Sequence, residues 1–144
     1  TIQTVDGKKK EVGQVFLRPV DGGVQVYGKL TNLQPGRTVS LHIHETGSCD
    51  VMGKAAGGHF NPDNKPHSNP DDMNGHAGDL PNLTANEDGV ATINYVNKKI
   101  AATEAGKYSV NRLAFIVHAG VDDYTSQPSG NAGDRIGCGI IVKN

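Results

Sequence analysis

The sequence predicts an all-β domain, an antiparallel sandwich or barrel that carries two long loops. Three observations predict it. Apolar and polar residues alternate with period two in several short stretches, the pattern of half-buried strands. Glycine is abundant, at 19 of 144 residues, and aromatic residues are few, which favours tight turns over long helices. Two polar stretches, residues 45–88 and 119–134, interrupt the alternation.

The elements follow in order. Residues 11–19 hold Val12, Val15, Phe16 and Leu17 and end at the turn signal Asp21-Gly22-Gly23. Val24, Val26, Gly28 and Leu30 then alternate with Gln25, Tyr27, Lys29 and Thr31. Pro35-Gly36 marks the next turn, and Val39, Leu41 and Ile43 form another alternating set. Strand signals return at residues 90–96, after Asp88-Gly89. Residues 113–117 are a continuous apolar run, and residues 136–142 close the chain as a last strand. Residues 101–105 are compatible with one helical turn. No internal repeat or boundary is visible, so residues 1–144 read as one domain, long enough for a real core.

Composition narrows the function. The net charge is −1, which gives no general attraction for nucleic acid or an anionic membrane. The short basic run Lys8-Lys9-Lys10 reads as a solvated loop. No stretch approaches the roughly 18 apolar residues of a membrane span. The sequence starts at Thr1 without Met or a visible leader, so a mature, extracytoplasmic form with its signal peptide removed is expected. Two cysteines, Cys49 and Cys138, are either buried thiols or one bridge. A bridge implies an oxidising compartment and closes a loop of about ninety residues, worth roughly 4–5 kcal/mol on a chain-entropy estimate.

The stretch 45–88 has too little apolar surface to fold by burial, and loops this long in compact domains are usually functional. Metal and disulfide bonds are the obvious ordering forces. The histidines point the same way. His42 and His44 lie two apart in a strand pattern and share a face, opposite Val39, Leu41 and Ile43. Both imidazoles therefore point away from the core, side by side. His59, His67 and His76 follow in the loop, with Asp79 three residues after His76, and His118 ends the apolar run. These six are all the histidines of the chain. Seven donors exceed the four of a closed zinc site, so two ions are expected. The loop cluster with Asp79 suits zinc, and the strand pair with His118 suits copper.

With these residues the chain resembles the copper–zinc superoxide dismutases, most closely their bacterial extracytoplasmic branch. The matching stretches are Leu41-His42-Ile43-His44, Gly57-Gly58-His59-Phe60-Asn61-Pro62 and Gly75-His76-Ala77-Gly78-Asp79-Leu80-Pro81-Asn82. Ile116-Val117-His118, Gly130-Asn131-Ala132-Gly133-Asp134-Arg135 and Gly137-Cys138-Gly139 follow in the family's order. Gly47-Ser48-Cys49 close behind His44, and Asp79-Leu80-Pro81, are the bacterial features.

The resemblance implies an eight-stranded antiparallel Greek-key β-barrel, an immunoglobulin-like sandwich with two long functional loops. It implies one copper and one zinc ion per chain: copper on His42, His44, His59 and His118, zinc on His59, His67, His76 and Asp79, with His59 shared. Asp122 matches a carboxylate that accepts hydrogen bonds from His42 and His67, and Cys49 and Cys138 match an intrachain disulfide. His59 and Arg135 match the catalytic residues, a general acid and an anion-holding guanidinium. The implied reaction disproportionates the partner, superoxide, to oxygen and hydrogen peroxide by a Cu(II)/Cu(I) cycle, with zinc structural, as antioxidant defence. Family members occur as homodimers and as monomers.

The second long loop holds no lysine, where many members place guiding lysines, and Asp134 sits beside Arg135. Lys54 and Lys65, in the first loop, are the candidates to supply positive potential instead. A metal carrier would keep the donors but has no need of Arg135 and Asp122 in matching places. A one-ion enzyme built on His-x-His would leave His59, His67 and Asp79 unexplained.

Overall fold

The computed structural model describes residues 1–143. Its strands are β1 (Ile2–Thr4), β2 (Glu11–Val20), β3 (Gly23–Leu30), β4 (Thr38–His44), β5 (Leu83–Thr84), β6 (Ala91–Asn97), β7 (Ala114–His118) and β8 (Arg135–Ile140). They form one antiparallel sheet in the order β5-β4-β7-β8-β1-β2-β3-β6. The edge strands β5 and β6 are consecutive in the chain, so the sheet curls into a nearly closed Greek-key barrel. No described helix is long and apolar enough to cross a membrane.

The alternation read from the sequence is the barrel interior. Val24, Val26, Leu30, Val39, Leu41, Ile43, Ala91, Ile93, Phe115 and Val117 are buried in one cluster. The continuous apolar run of β7 has a separate cause: both of its faces are covered. Phe115 and Val117 face the barrel core, while Ala114 and Ile116 pack with Ala56 and Cys138 in a second cluster.

The structure corrects the reading at several points. β1 and β5 were not expected; three and two residues are too short to display a period. The helical turn at residues 101–105 does not form; Ala101 instead makes an isolated parallel bridge with Ser109. The last strand starts at Arg135 and stops at Ile140, although Ile141 beyond it remains buried. The only described helical element is a short 3-10 turn at Lys54–Ala56, inside the first long loop.

Candidate metal centre

The site lies outside the barrel wall, on β4 and β7. Alternation turns Ser40, His42 and His44 away from the core, as expected, but these side chains are buried because the two long loops cover them. β4 and β7 pair antiparallel with Ser40 opposite His118, which places His118 on the wall beside the histidine pair. Between β7 and β8 the register slips after Val117, so that His118 faces Arg135 and Ile136 is the extra residue. The bulge brings the arginine to the histidine end of the sheet.

Main-chain bonds dock the first long loop on β4. His44 bridges His59 and His42 bridges Asp79. Ile43 N donates to Gly78 O (3.0 Å), and Phe60 N donates to Ile43 O (2.8 Å). Approach this close requires glycine: a Cβ on Gly78 would collide with Ile43 O. The chain thereby delivers two loop ligands to the strand that carries two others.

Four of the six imidazoles are oriented by the nitrogen that does not face the cluster. His44 Nδ1 donates to Gly57 O (2.8 Å), and His118 Nδ1 donates to Gly133 O (3.3 Å). His42 Nε2 donates to Asp122 Oδ2 (2.7 Å), and His67 Nε2 donates to Asp122 Oδ1 (2.8 Å). Such outer contacts fix tautomer and ring angle. The remaining nitrogens converge. One set is His42, His44, His59 and His118; the other is His59, His67, His76 and Asp79, and within each set the donor atoms lie within 4.8 Å of one another.

The donor chemistry fits two cations. His44 Nε2 and His118 Nε2 face each other at 3.2 Å, while His42 Nδ1 and His59 Nε2 are buried with no hydrogen-bond partner among the described residues. Buried polar atoms of this kind call for an explanation, and a shared cation gives one. In the second set, His59 Nδ1 and His67 Nδ1 each lie 3.0 Å from Asp79 Oδ1, with His76 Nδ1 at 3.6 Å. His59 belongs to both sets, with Nδ1 on the Asp79 side and Nε2 on the other.

Electrostatics divides the rings. Burial pushes His42 down to about 3 and His118 to about 4, and it lowers His44 and His59 as well. These four are neutral near pH 7, the form that binds metals. Burial opposes the charge on His67 too, yet Asp122 and Asp79 outweigh it and raise that group to about 9. Both carboxyls lie well below their ordinary value; burial works against this, and the neighbouring imidazoles prevail.

The disulfide forms between Cys49 and Cys138, with Cα atoms 5.8 Å apart. It ties the loop arm before His59 to β8. That arm holds Arg135, whose Nη1 donates to Gly53 O (2.7 Å) and whose Nη2 donates to Gly57 O (2.5 Å). Arg135 thus bonds to the loop rather than to its neighbour Asp134. Its charge is felt at His44 and His118, which it helps keep neutral. Lys54 and Arg135 line one open cleft of about 620 Å³, with Met52, Gly133 and Asp134. Lys65 is exposed on the far arm, where its backbone bonds Asn61.

Two supporting residues escaped the sequence reading. Gln127 binds both main-chain groups of His67, at 2.7 and 2.8 Å, and joins the two loops. Asn82 Nδ2 donates to Asp122 O (2.9 Å), and Asp122 N donates to Asn82 Oδ1 (3.0 Å). This commits the side chain of a sequon-like triplet, Asn82-Leu83-Thr84, to an internal role. Gly130 has φ +73°, and a Cβ there would collide with Asp122 Oδ1.

Comparison with known proteins agrees with this geometry. The copper/zinc superoxide dismutase family model matches residues 11–141. The chain is 36% identical over 141 residues to superoxide dismutase (Cu-Zn) 1 of Aquifex aeolicus, covering 95% of this chain and 83% of that protein. It is 42% identical over 141 residues to superoxide dismutase (Cu-Zn) of Francisella tularensis, covering 92% and 74%. Among solved structures, the Cu/Zn superoxide dismutase from Brucella abortus superposes with a TM-score of 0.81 at 33% identity, over 97% of this chain and 96% of that one. A SOD-like protein from Bacillus subtilis superposes with a TM-score of 0.85 at 36% identity, over 98% and 95%. Barrel, donor sets and similarity together establish that this chain belongs to the copper/zinc superoxide dismutase family, oxidoreductases acting on superoxide.

Proposed function

We propose that the chain acts as one domain, residues 1–144, that converts two superoxide ions and two protons to oxygen and hydrogen peroxide with one copper and one zinc ion. His42, His44, His59 and His118 hold copper, and His59, His67, His76 and Asp79 hold zinc. The observation that carries this reading is His59, whose two ring nitrogens face the two donor sets. Copper supplies one-electron chemistry between Cu(II) and Cu(I), while zinc supplies fixed charge without redox change.

The protein's part is to bind, orient and move protons. Asp122 aims His42 and His67 from behind and couples the two sets. His59 Nε2 is buried within the cluster, so a proton held there is passed on inside the site, and His59 serves as general acid. Arg135 has a permanent charge and further N–H donors beyond its two loop bonds, which suits it to hold a small anion near His44 and His118. Lys54 lines the same cleft as Arg135 and adds positive potential beside it.

The disulfide and the bacterial relatives are compatible with an extracytoplasmic setting, and we place the protein in the periplasm, the cell envelope or the medium. The test is pulse radiolysis of protein verified to hold one copper and one zinc. A rate constant of roughly 10⁸–10⁹ M⁻¹s⁻¹ is expected. A rate no better than free copper, with both metals in place, would move the function to metal binding.

A further inference from the structure

The turn that carries His76 and Asp79 is held from below by a short stretch of chain that contributes no metal ligand. Asn97, at the end of β6, is fully buried. Its Nδ2 donates to Ala77 O (2.8 Å), between the two ligands, while its Oδ1 accepts from Lys99 N (2.8 Å). Lys99 Nζ then donates to Asp72 O (2.9 Å), the same carbonyl that accepts from Gly75 N (3.0 Å). An outer contact extends the grip: Tyr95 OH donates to Asp71 Oδ1 (2.8 Å). Burial pushes the Lys99 amine below its ordinary range, against the pull of Asp79, Asp72 and Asp71. Lys99 is half-buried, and its ammonium is committed to one main-chain oxygen.

We propose that Asn97 and Lys99 are positioning residues for the zinc ligands, a clasp that holds the His76–Asp79 turn in binding shape before metal arrives. The proposal rests on the assignment of zinc to His59, His67, His76 and Asp79. Its physical basis is preorganisation. A site whose competent form is only partly populated binds with an affinity reduced by that fraction. The clasp raises the fraction by anchoring the turn to the barrel, at the carbonyl of Ala77 and at that of Asp72.

The sign of one substitution separates this role from a mere charge effect. Lys99 is a cation close to Asp79, so removing its charge alone would tighten zinc binding. Removing a positioning contact weakens it. Lys99→Met keeps the stem and deletes the donor, and Lys99→Arg restores a donor. Zinc affinity would be measured by chelator competition and copper affinity alongside it. Exchange of the Gly75 amide would be followed in the metal-free protein.

The clasp predicts zinc binding weakened about tenfold in Lys99→Met, as loss of a charge-assisted hydrogen bond implies. It predicts unchanged copper affinity, faster Gly75 exchange and partial recovery in Lys99→Arg. Zinc bound as tightly or more tightly in Lys99→Met, with Gly75 exchange unaltered, would overturn it. Cobalt(II) loaded into the wild type reports separately on the zinc assignment. If its tetrahedral absorption survives His76→Ala, that assignment fails, while the exchange comparison still decides the clasp.

Discussion

The two donor sets are built by different means. His42, His44 and His118 project from β4 and β7, paired over five residues and backed by the barrel core at Leu41, Ile43 and Val117. His67, His76 and Asp79 come from a mostly polar loop, anchored in the core by Phe60, Ala77 and Leu80 and held by Asp122, Gln127, Asn97 and Lys99. The sheet fixes the proposed copper set through hydrophobic burial shared with the whole fold. The proposed zinc set has fewer apolar anchors and depends more on polar contacts and on the ion itself. Two donor sets that share one histidine therefore differ in how much of their shape belongs to the metal-free chain.

Asp122 is where that contrast is sharpest, because it touches one ring from each set. Asp122→Ala leaves two buried N–H groups without acceptors. It is expected to cost about 10–100-fold in zinc affinity, the usual penalty for losing an outer-shell partner. The copper set is expected to lose less, since strand pairing still places its rings. Chelator competition for both metals checks this; equal losses would mean that the strands give no advantage.

A smaller effect is expected at Arg135, bonded to the loop beside His118, whose proposed role is toward the anion rather than the ions. Arg135→Ala should slow turnover several-fold, weaken inhibition by small anions and leave both metals bound. Unchanged kinetics at low ionic strength would remove its assigned role.

The smallest effect concerns pH in the metal-free protein. His42 and His118, pushed by burial to about 3 and about 4, bind fewer protons folded than unfolded. Stability therefore falls as pH drops below the ordinary histidine value of 6.5. His67 is raised to about 9, so its contribution is complete below 6.5 and is lost as pH rises toward 9. The melting temperature of the metal-free chain should peak near pH 6.5, with the steeper fall on the acid side. Stability still rising between pH 6.5 and 9 would contradict the His67 environment.

Much of this was legible in the sequence. Period-two alternation located β3, β4 and β6, because each buries one face against a single core. The pairing of His42 with His44 on the outer face follows from the same period. What the period could not show was that loops would close over that face and bury both rings. Asn97, Lys99 and Gln127 left no signal, since a polar residue near a loop looks the same whether it meets water or a carbonyl twenty or more residues away. β1 and β5 were hidden by brevity alone.

The central claim is that one imidazole joins the two sites. It is tested most directly by loading copper into both and measuring the Cu(II) electron paramagnetic resonance signal at low temperature. Two unpaired spins sharing the His59 ring should couple, so the integrated signal should fall well below the copper content, and His59→Ala should restore it. A full-intensity signal from two independent Cu(II) ions in the wild type would show that His59 does not bridge.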